Sequence, residues 1–205
     1  MALASDRVWL HVRRGLDDGV PRGKSRAACH MSATVTSIAI HPERVASNSS
    51  IIRWVIPAGT LPVGLPIGFP SPLAQFFTDR VLTAGLVEDS AVWLWIHPDE
   101  SWSTQGPAVR EALVEALAAP DHWVIEPCDD AVLRHVAQDV LAGPVGDVIR
   151  SHGGDAALSS VNGNVVEVEF SGACSHCPAI SFTLHNRLEK EIRARHPHLE
   201  RVVSA

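Results

Sequence analysis

The chain is poor in several features, and each shortage narrows what it can be. It has four cysteines in 205 residues, two of them isolated at Cys29 and Cys128, so it lacks the dense thiols of a disulfide framework and fits a reducing, cytoplasmic setting. It lacks an uninterrupted apolar run of membrane length: its longest apolar region, 56–77, is broken by Pro57, Pro62, Pro66, Pro70 and Pro72, so no membrane association is expected. It also lacks a clustered basic face. Residues 1–30 carry six Arg/Lys against three Asp, and the remainder eleven against twenty acids, which makes +3 against −9. An acidic main body does not suit phosphate binding, so no nucleic-acid partner is expected. Residues 1–30 contain no apolar stretch of the roughly 7–15 residues that a secretory signal needs.

An apolar share of 46% beside 20% charge is that of an ordinary soluble globular protein. Residues 1–49 read as a disordered arm or an overextended start, with Met31-Ser32 opening a more regular segment. A first α/β domain is expected over 50–127. There Ile51, Ile52, Trp54, Val55 and Ile56 form a β-type run stopped by Pro57. Ser71-Pro72 offers a helix start, with Leu73, Phe76, Phe77, Val81 and Leu82 at helical spacing. Ala91–Ile96 is too apolar for a loop and too short for a helix, and reads as a buried strand. Pro107 is expected to open a second helix, with Val109, Leu113, Ala116 and Leu117 on one face, and Pro120 to end it. The tryptophans of this half are assigned to core packing.

The composition changes at Pro127-Cys128-Asp129-Asp130, where a second domain, 128–205, is expected to begin. Its first helix carries Val132, Leu133, Val136, Val140 and Leu141, is interrupted at Gly143-Pro144 and continues to Gly153-Gly154. Asn162-Gly163 marks a tight turn between Ala156–Val161 and the alternating run Val166–Phe170, whose valines and Phe170 face a core while Glu167 and Glu169 face water. Ile180, Leu184, Leu188 and Ile192 recur every four residues on a helix. Arg201-Val202-Val203 could join the sheet. The fold class is therefore α+β, as two small domains, the second a helix–β-hairpin–helix–strand unit.

The chemistry is expected at Gly172-Ala173-Cys174-Ser175-His176-Cys177-Pro178, where a strand runs into a helix. Two thiols one turn apart grip a metal or do redox chemistry; two inert buried cysteines fit poorly in a polar, Gly-bounded turn. Helical N–H groups at the start of the following helix favour thiolate over thiol. One chain offers two such ligands, whereas a tetrahedral zinc site or an iron–sulfur cluster takes four. Cys29 and Cys128 are formal candidates for the missing pair. A second copy of the chain supplying its own Cys174 and Cys177 is the simpler source, because two-fold symmetry gives four sulfurs from one motif. A thiol–disulfide oxidoreductase and a structural zinc module are the competing readings. His176 is read as a solvent-facing spacer, and His152, His185, His196 and His198 as surface residues.

These residues bear a family resemblance. From about Val140 to Val203 the chain resembles the C-terminal domain of NifU, shared by the Nfu-type iron–sulfur scaffold and carrier proteins. The resemblance rests on the helix before Gly153-Gly154-Asp155, the hairpin, Gly172-Ala173-Cys174, Cys177-Pro178, Thr183-Leu184 and a helix with Glu189. Ser71-Pro72-Leu73-Ala74, the Ile52-Arg53-Trp54 strand and Trp102 also resemble the N-terminal domain of some Nfu proteins. The resemblance implies that Cys174 and Cys177 of two protomers bind one [4Fe-4S] cluster between them in a holo homodimer. It further implies a carrier and not an enzyme, whose partners are a cluster donor and apo-protein acceptors. Two positions depart from the family pattern: His152 stands where an acidic residue usually precedes Gly-Gly, and Ala179 where a serine often follows the proline.

Overall fold

Tertiary structure comes from a computed structural model that describes residues 38–173 and 178–205, the side chains of 178–185 excepted. Residues 36–205 form one compact unit. Its elements are β1 (His41–Arg44), β2 (Ile51–Val55), β3 (Leu65–Gly68), α1 (Leu73–Thr78), β4 (Leu82–Glu88), β5 (Ala91–Ile96), α2 (Trp102–Leu117) and β6 (Val124–Glu126). There follow α3 (Asp129–Ala142), α4 (Pro144–Ser151), β7 (Gly154–Asn162), β8 (Val165–Gly172), α5 (Pro178–Arg195) and β9 (Arg201–Ser204). The α+β class expected from the sequence is the one observed.

The first sheet is antiparallel in the order β1-β2-β5-β4. Its central strand β5 is apolar throughout because both faces are covered. Val92, Leu94 and Ile96 join Trp54, Val109 and Leu113 in a core beneath α2, whereas Ala91 and Trp93 join Ile51, Leu86 and the α3 residues Val132, Leu133 and Val136 in a second core. That second core runs on through Ile149, Val166, Val168, Leu188 and Ile192 of the C-terminal region. Helix α3 thus packs between the two sheets, and no apolar boundary separates the halves on either side of residue 127. Strand β1 lies inside the 1–49 segment expected to be an arm; its exposed sequence carries no apolar signal, and only pairing with β2 reveals it.

Two helix boundaries differ from expectation. The spacing of Val81 and Leu82 suggests a helix that continues past Phe77, but α1 ends at Thr78 and Leu82 begins β4. Arg80 takes a left-handed φ of 60°, and Val81 N–H and Arg80 N–H donate back to the carbonyls of Phe76 and Phe77, a Schellman-type stop built without glycine. Helix α2 begins at Trp102 instead of Pro107, which lies inside it. The Ser101 hydroxyl caps this start by accepting from Ser103 N–H at 3.2 Å, and the Trp102 indole anchors it by donating to Ser50 O at 3.0 Å. The small β3–β6 pair is also absent from the sequence reading.

The second sheet has the order β7-β8-β9. The hairpin forms as expected, its turn entered by Gly163 at φ 57°. Val166 and Val168 are buried, Phe170 packs against the same core, Glu169 is exposed and Glu167 half-buried. Strand β9 joins parallel to β8, so β8–α5–β9 is a crossover unit, and residues 173–177 are its strand-to-helix connection.

Candidate functional site

Cys174, Ser175, His176 and Cys177 lie outside the described residues, as does Cys29; the elements that bracket the two-cysteine turn do not. Strand β8 ends at Gly172 and α5 begins at Pro178. The sequence order strand, thiol pair, helix is therefore the order of the fold.

The entrance to the turn is built from two glycine corners that touch. Gly172 has φ 65° and Gly153 has φ 75°, both in the left-handed region. A Cβ on Gly172 would lie 2.5 Å from the carbonyl oxygen of Gly153, so no side chain fits there. Ala173 N–H donates to that same carbonyl at 3.0 Å, and Gly154 pairs with Gly172 in the ladder. Gly153-Gly154 and Gly172-Ala173 are thus one structure: the loop after α4 fixes the direction in which the chain enters the cysteine segment. His152, at the end of α4, is exposed as expected, and its Nδ1 lies 2.8 Å from Val148 O.

Cys128 is a free, half-buried thiol at the N-cap of α3. Among the described residues no group of three or more His, Cys, Asp or Glu side chains is placed to hold a metal ion. No described helix is long and apolar enough to cross a membrane.

His196 corrects the expectation that it lies at the surface. It is 1% exposed, between the end of α5 and β9, and its carbonyl accepts from Leu199 N–H at 3.0 Å. Burial, with help from His198 and against the pull of Asp129, Glu88 and Asp89, holds its pKa below the ordinary value of 6.5. His198 is exposed as expected, and the side chain of His185 lies outside the described residues.

The C-terminal end of α5 is held by a charge network that sequence reasoning missed. Glu88, wholly buried on β4, accepts from Arg53 of β2 through Nε at 2.7 Å and through Nη2, from the Trp93 indole at 2.9 Å and from Arg195 of α5 at 3.3 Å. Arg195 lies 5.1 Å over the Trp93 ring and reaches Asp139 of α3 at 2.8 Å, and Asp139 also accepts from Ala46 N–H at 2.5 Å. Arg53 completes the chain by donating to Glu43 of β1 at 2.6 Å. Burial acts to lower the Arg53 pKa, but Glu88 and then Glu43 raise it on balance. Burial acts to raise the Glu43 pKa, and Arg53, helped by His41, brings it below the ordinary carboxylate value. The available signal is a charge at an inward position of an apolar strand, as Arg53 is in Ile51–Val55.

Comparison with known proteins adds to this geometry. The NifU-like domain family matches residues 138–203, a span that runs from the end of α3 to β9 and contains the cysteine turn. A chloroplastic NifU-like protein 2 of Arabidopsis thaliana is 28% identical over 90 residues, covering 44% of this chain and 36% of the relative. A Fe/S biogenesis protein NfuA of Idiomarina loihiensis is 33% identical over 82 residues, 40% of this chain and 43% of the relative. A mitochondrial NFU1 iron-sulfur cluster scaffold homolog of Drosophila persimilis is 26% identical over 135 residues, 63% of this chain and 45% of the relative. The chain thus spans less than half the length of these relatives. With the end of α3, α4, the hairpin, the bracketed cysteine turn and the α5–β9 crossover in the matched span, the C-terminal region of this chain is a NifU-like domain.

Proposed function

We propose that this protein is an iron–sulfur cluster scaffold or carrier whose cargo, a [4Fe-4S] cluster, is held between two protomers by Cys174 and Cys177 of each. The observation that carries the reading is the coincidence of the NifU-like match with the segment between β8 and α5, where the only closely spaced thiol pair of the sequence falls. The relatives named for Fe/S biogenesis and for cluster scaffolding support the cargo. Two-fold symmetry, which gives four thiolates from one two-cysteine motif, favours a second protomer over the isolated Cys29 and Cys128 as the source of the other two.

Four thiolates satisfy a cubane cluster, and a helix start beside Cys177 favours their ionised form. A cluster shared at an accessible seam is released by ligand exchange: an acceptor's thiolate bonds to iron as one of these leaves, and the exchange repeats. No bond of an organic substrate is broken, so the role is that of a carrier and not of an enzyme. The partners are a cluster donor and apo-protein acceptors, with no nucleic acid or membrane required, and a reducing compartment such as the cytoplasm keeps the thiols available.

The test is anaerobic reconstitution of the full chain with ferrous iron and sulfide. A broad visible charge-transfer band, equal iron and sulfide, and two chains per four irons are expected. A colourless monomer with stoichiometric zinc, or metal-free protein that reduces disulfides efficiently, would overturn the proposal.

A further inference from the structure

The C-terminal strand is fastened beside a buried imidazole. Strand β9 is four residues long, lies at the edge of the second sheet and is paired on one side only, to β8. A short edge strand at the end of a chain opens more readily than the core it covers. Its anchorage is correspondingly brief. Leu199 and Val202 are buried, Glu200 N–H donates to Asn164 O at 2.7 Å, Val202 N–H to Glu189 at 3.1 Å and Ala205 N–H to Val168 O at 3.0 Å. His196 stands where this segment leaves α5, and its backbone is satisfied: its N–H donates to Ile192 O at 2.8 Å and its carbonyl accepts from Leu199 N–H.

The ring of His196 is placed where a charge is costly. It is 1% exposed, and its Nε2 has no hydrogen-bond partner. Three carboxylates face it without offsetting that burial. Glu88 of β4 is committed to Arg53 and Arg195, Asp129 at the start of α3 is exposed to solvent, and Asp89, between β4 and β5, is half-exposed. His198 lies 6.2 Å away between ring centroids and adds repulsion, while Arg195, its neighbour in the chain, turns its guanidinium to Glu88 and Asp139. A cation at the C-terminal end of a helix is ordinarily favoured; here burial outweighs that attraction and the three acids together. An imidazole that leaves this place regains water and its ordinary affinity for a proton.

We propose that His196 is an acid-sensitive latch for the C-terminal segment: neutral, it stays buried and β9 stays on β8; protonated, it leaves, and residues 196–205 open together while the rest of the fold persists. The proton is taken from solvent by the imidazole of the opened form and returned to solvent on closing. Opening uncovers the edge of β8 from Val165 to Val168 and breaks the tie between Glu189 and Val202. Acid therefore loosens the β8–α5–β9 crossover, whose connection is residues 173–177. The latch does not depend on the cluster reading, since it is measured on protein without cargo.

The experiment is native-state hydrogen exchange on the full-length, cluster-free chain, read as protection factors at pH 7.5 and 5.5 with and without dilute urea. The amides of Glu200, Val202 and Ala205 are expected to exchange through a local opening, less protected than those of β5 and insensitive to the urea. Their protection should fall about tenfold at the lower pH, the proton uptake of one imidazole of pKa 6.5 released from burial. His198→Gln should keep that loss and His196→Gln should abolish it. The proposal is overturned if these amides exchange only with the β5 amides and in a urea-dependent way, if their protection is equal at both pH values, or if the loss survives His196→Gln or vanishes in His198→Gln. The wild-type ring decides the matter even if His196→Gln fails to fold. Its proton–carbon resonances should titrate below 6.5 in the folded protein, and a midpoint at or above that value would overturn the latch.

Discussion

The two sheets of this protein differ in how many of their faces are covered, and that difference separates its stability from its chemistry. The first sheet is covered on both faces, by α2 on one side and α3 on the other, and β5 is accordingly apolar at every position from Ala91 to Ile96. The second sheet packs its valines on one core and turns Glu169 to water, and its central strand runs out at Gly172 into the segment that carries Cys174 and Cys177. A region covered on both sides has no open end at which a cargo can be exchanged. A strand end followed by a helix start has one. Between the regions, Glu88, Arg195 and Asp139 tie the far end of α5 to the first sheet.

If stability and chemistry are divided in this way, substitutions should separate them. The largest effect is expected from Cys174→Ser or Cys177→Ser, which should eliminate iron and sulfide uptake on anaerobic reconstitution while leaving the urea midpoint of the apo protein in place. Loss of the fold in either variant would mean that the turn is structural. The converse is Glu88→Gln, which leaves the guanidinium groups of Arg53 and Arg195 facing a neutral amide in a buried site and should cost about 3–5 kcal/mol in urea unfolding. Iron bound per folded chain should not change.

Gly172→Val falls between these two. Its backbone sits at φ 65° and its Cβ would meet the Gly153 carbonyl, so strain of at least about 1–3 kcal/mol is expected, together with reduced cluster uptake because the entry to the turn is displaced. A variant destabilised by that amount with normal uptake would show that the glycine corner serves the sheet and not the site.

The smallest effect is one of pH. Burial, reinforced by Arg134 for His135 and by His198 for His196, depresses both imidazoles, so the unfolded chain takes up protons before the folded one does. Their contribution to stability is complete above the unfolded value of 6.5 and is lost as the pH falls through it toward the lower folded values. The urea midpoint should therefore drop between pH 7.5 and 5.5, and a His135→Gln, His196→Gln double variant should flatten the slope. The Glu43 carboxyl, lowered from 4.5, titrates below this window and does not contribute to it.

Much of the C-terminal region was legible as a linear pattern. The period of two in Val166–Phe170, the Asn162-Gly163 turn and the four-residue spacing of Leu188 and Ile192 each describe an element whose neighbours in space are also neighbours in sequence. The first region was less legible where its structure depends on remote partners. Strand β1 has no apolar residue to betray it and exists through its pairing with β2; α1 stops at an arginine that takes a conformation glycine normally marks; Ser101 caps α2 six residues before the proline that suggests its start. The surface assignment of His196 failed for a related reason, since a polar residue after a helix reads as exposed and its burial is decided by the tertiary fold.

The sequence alone determined the α+β class, the two-thiol turn between a strand and a helix, and the covering of β5, because all three are written in local composition and spacing. The tertiary structure decided what distance in the chain conceals. It brought Gly153 against Gly172 and gathered Arg53, Glu88, Asp139 and Arg195 into one buried network. Such contacts depend on where the backbone returns, and residues 19 to 107 positions apart carry no local mark of their meeting.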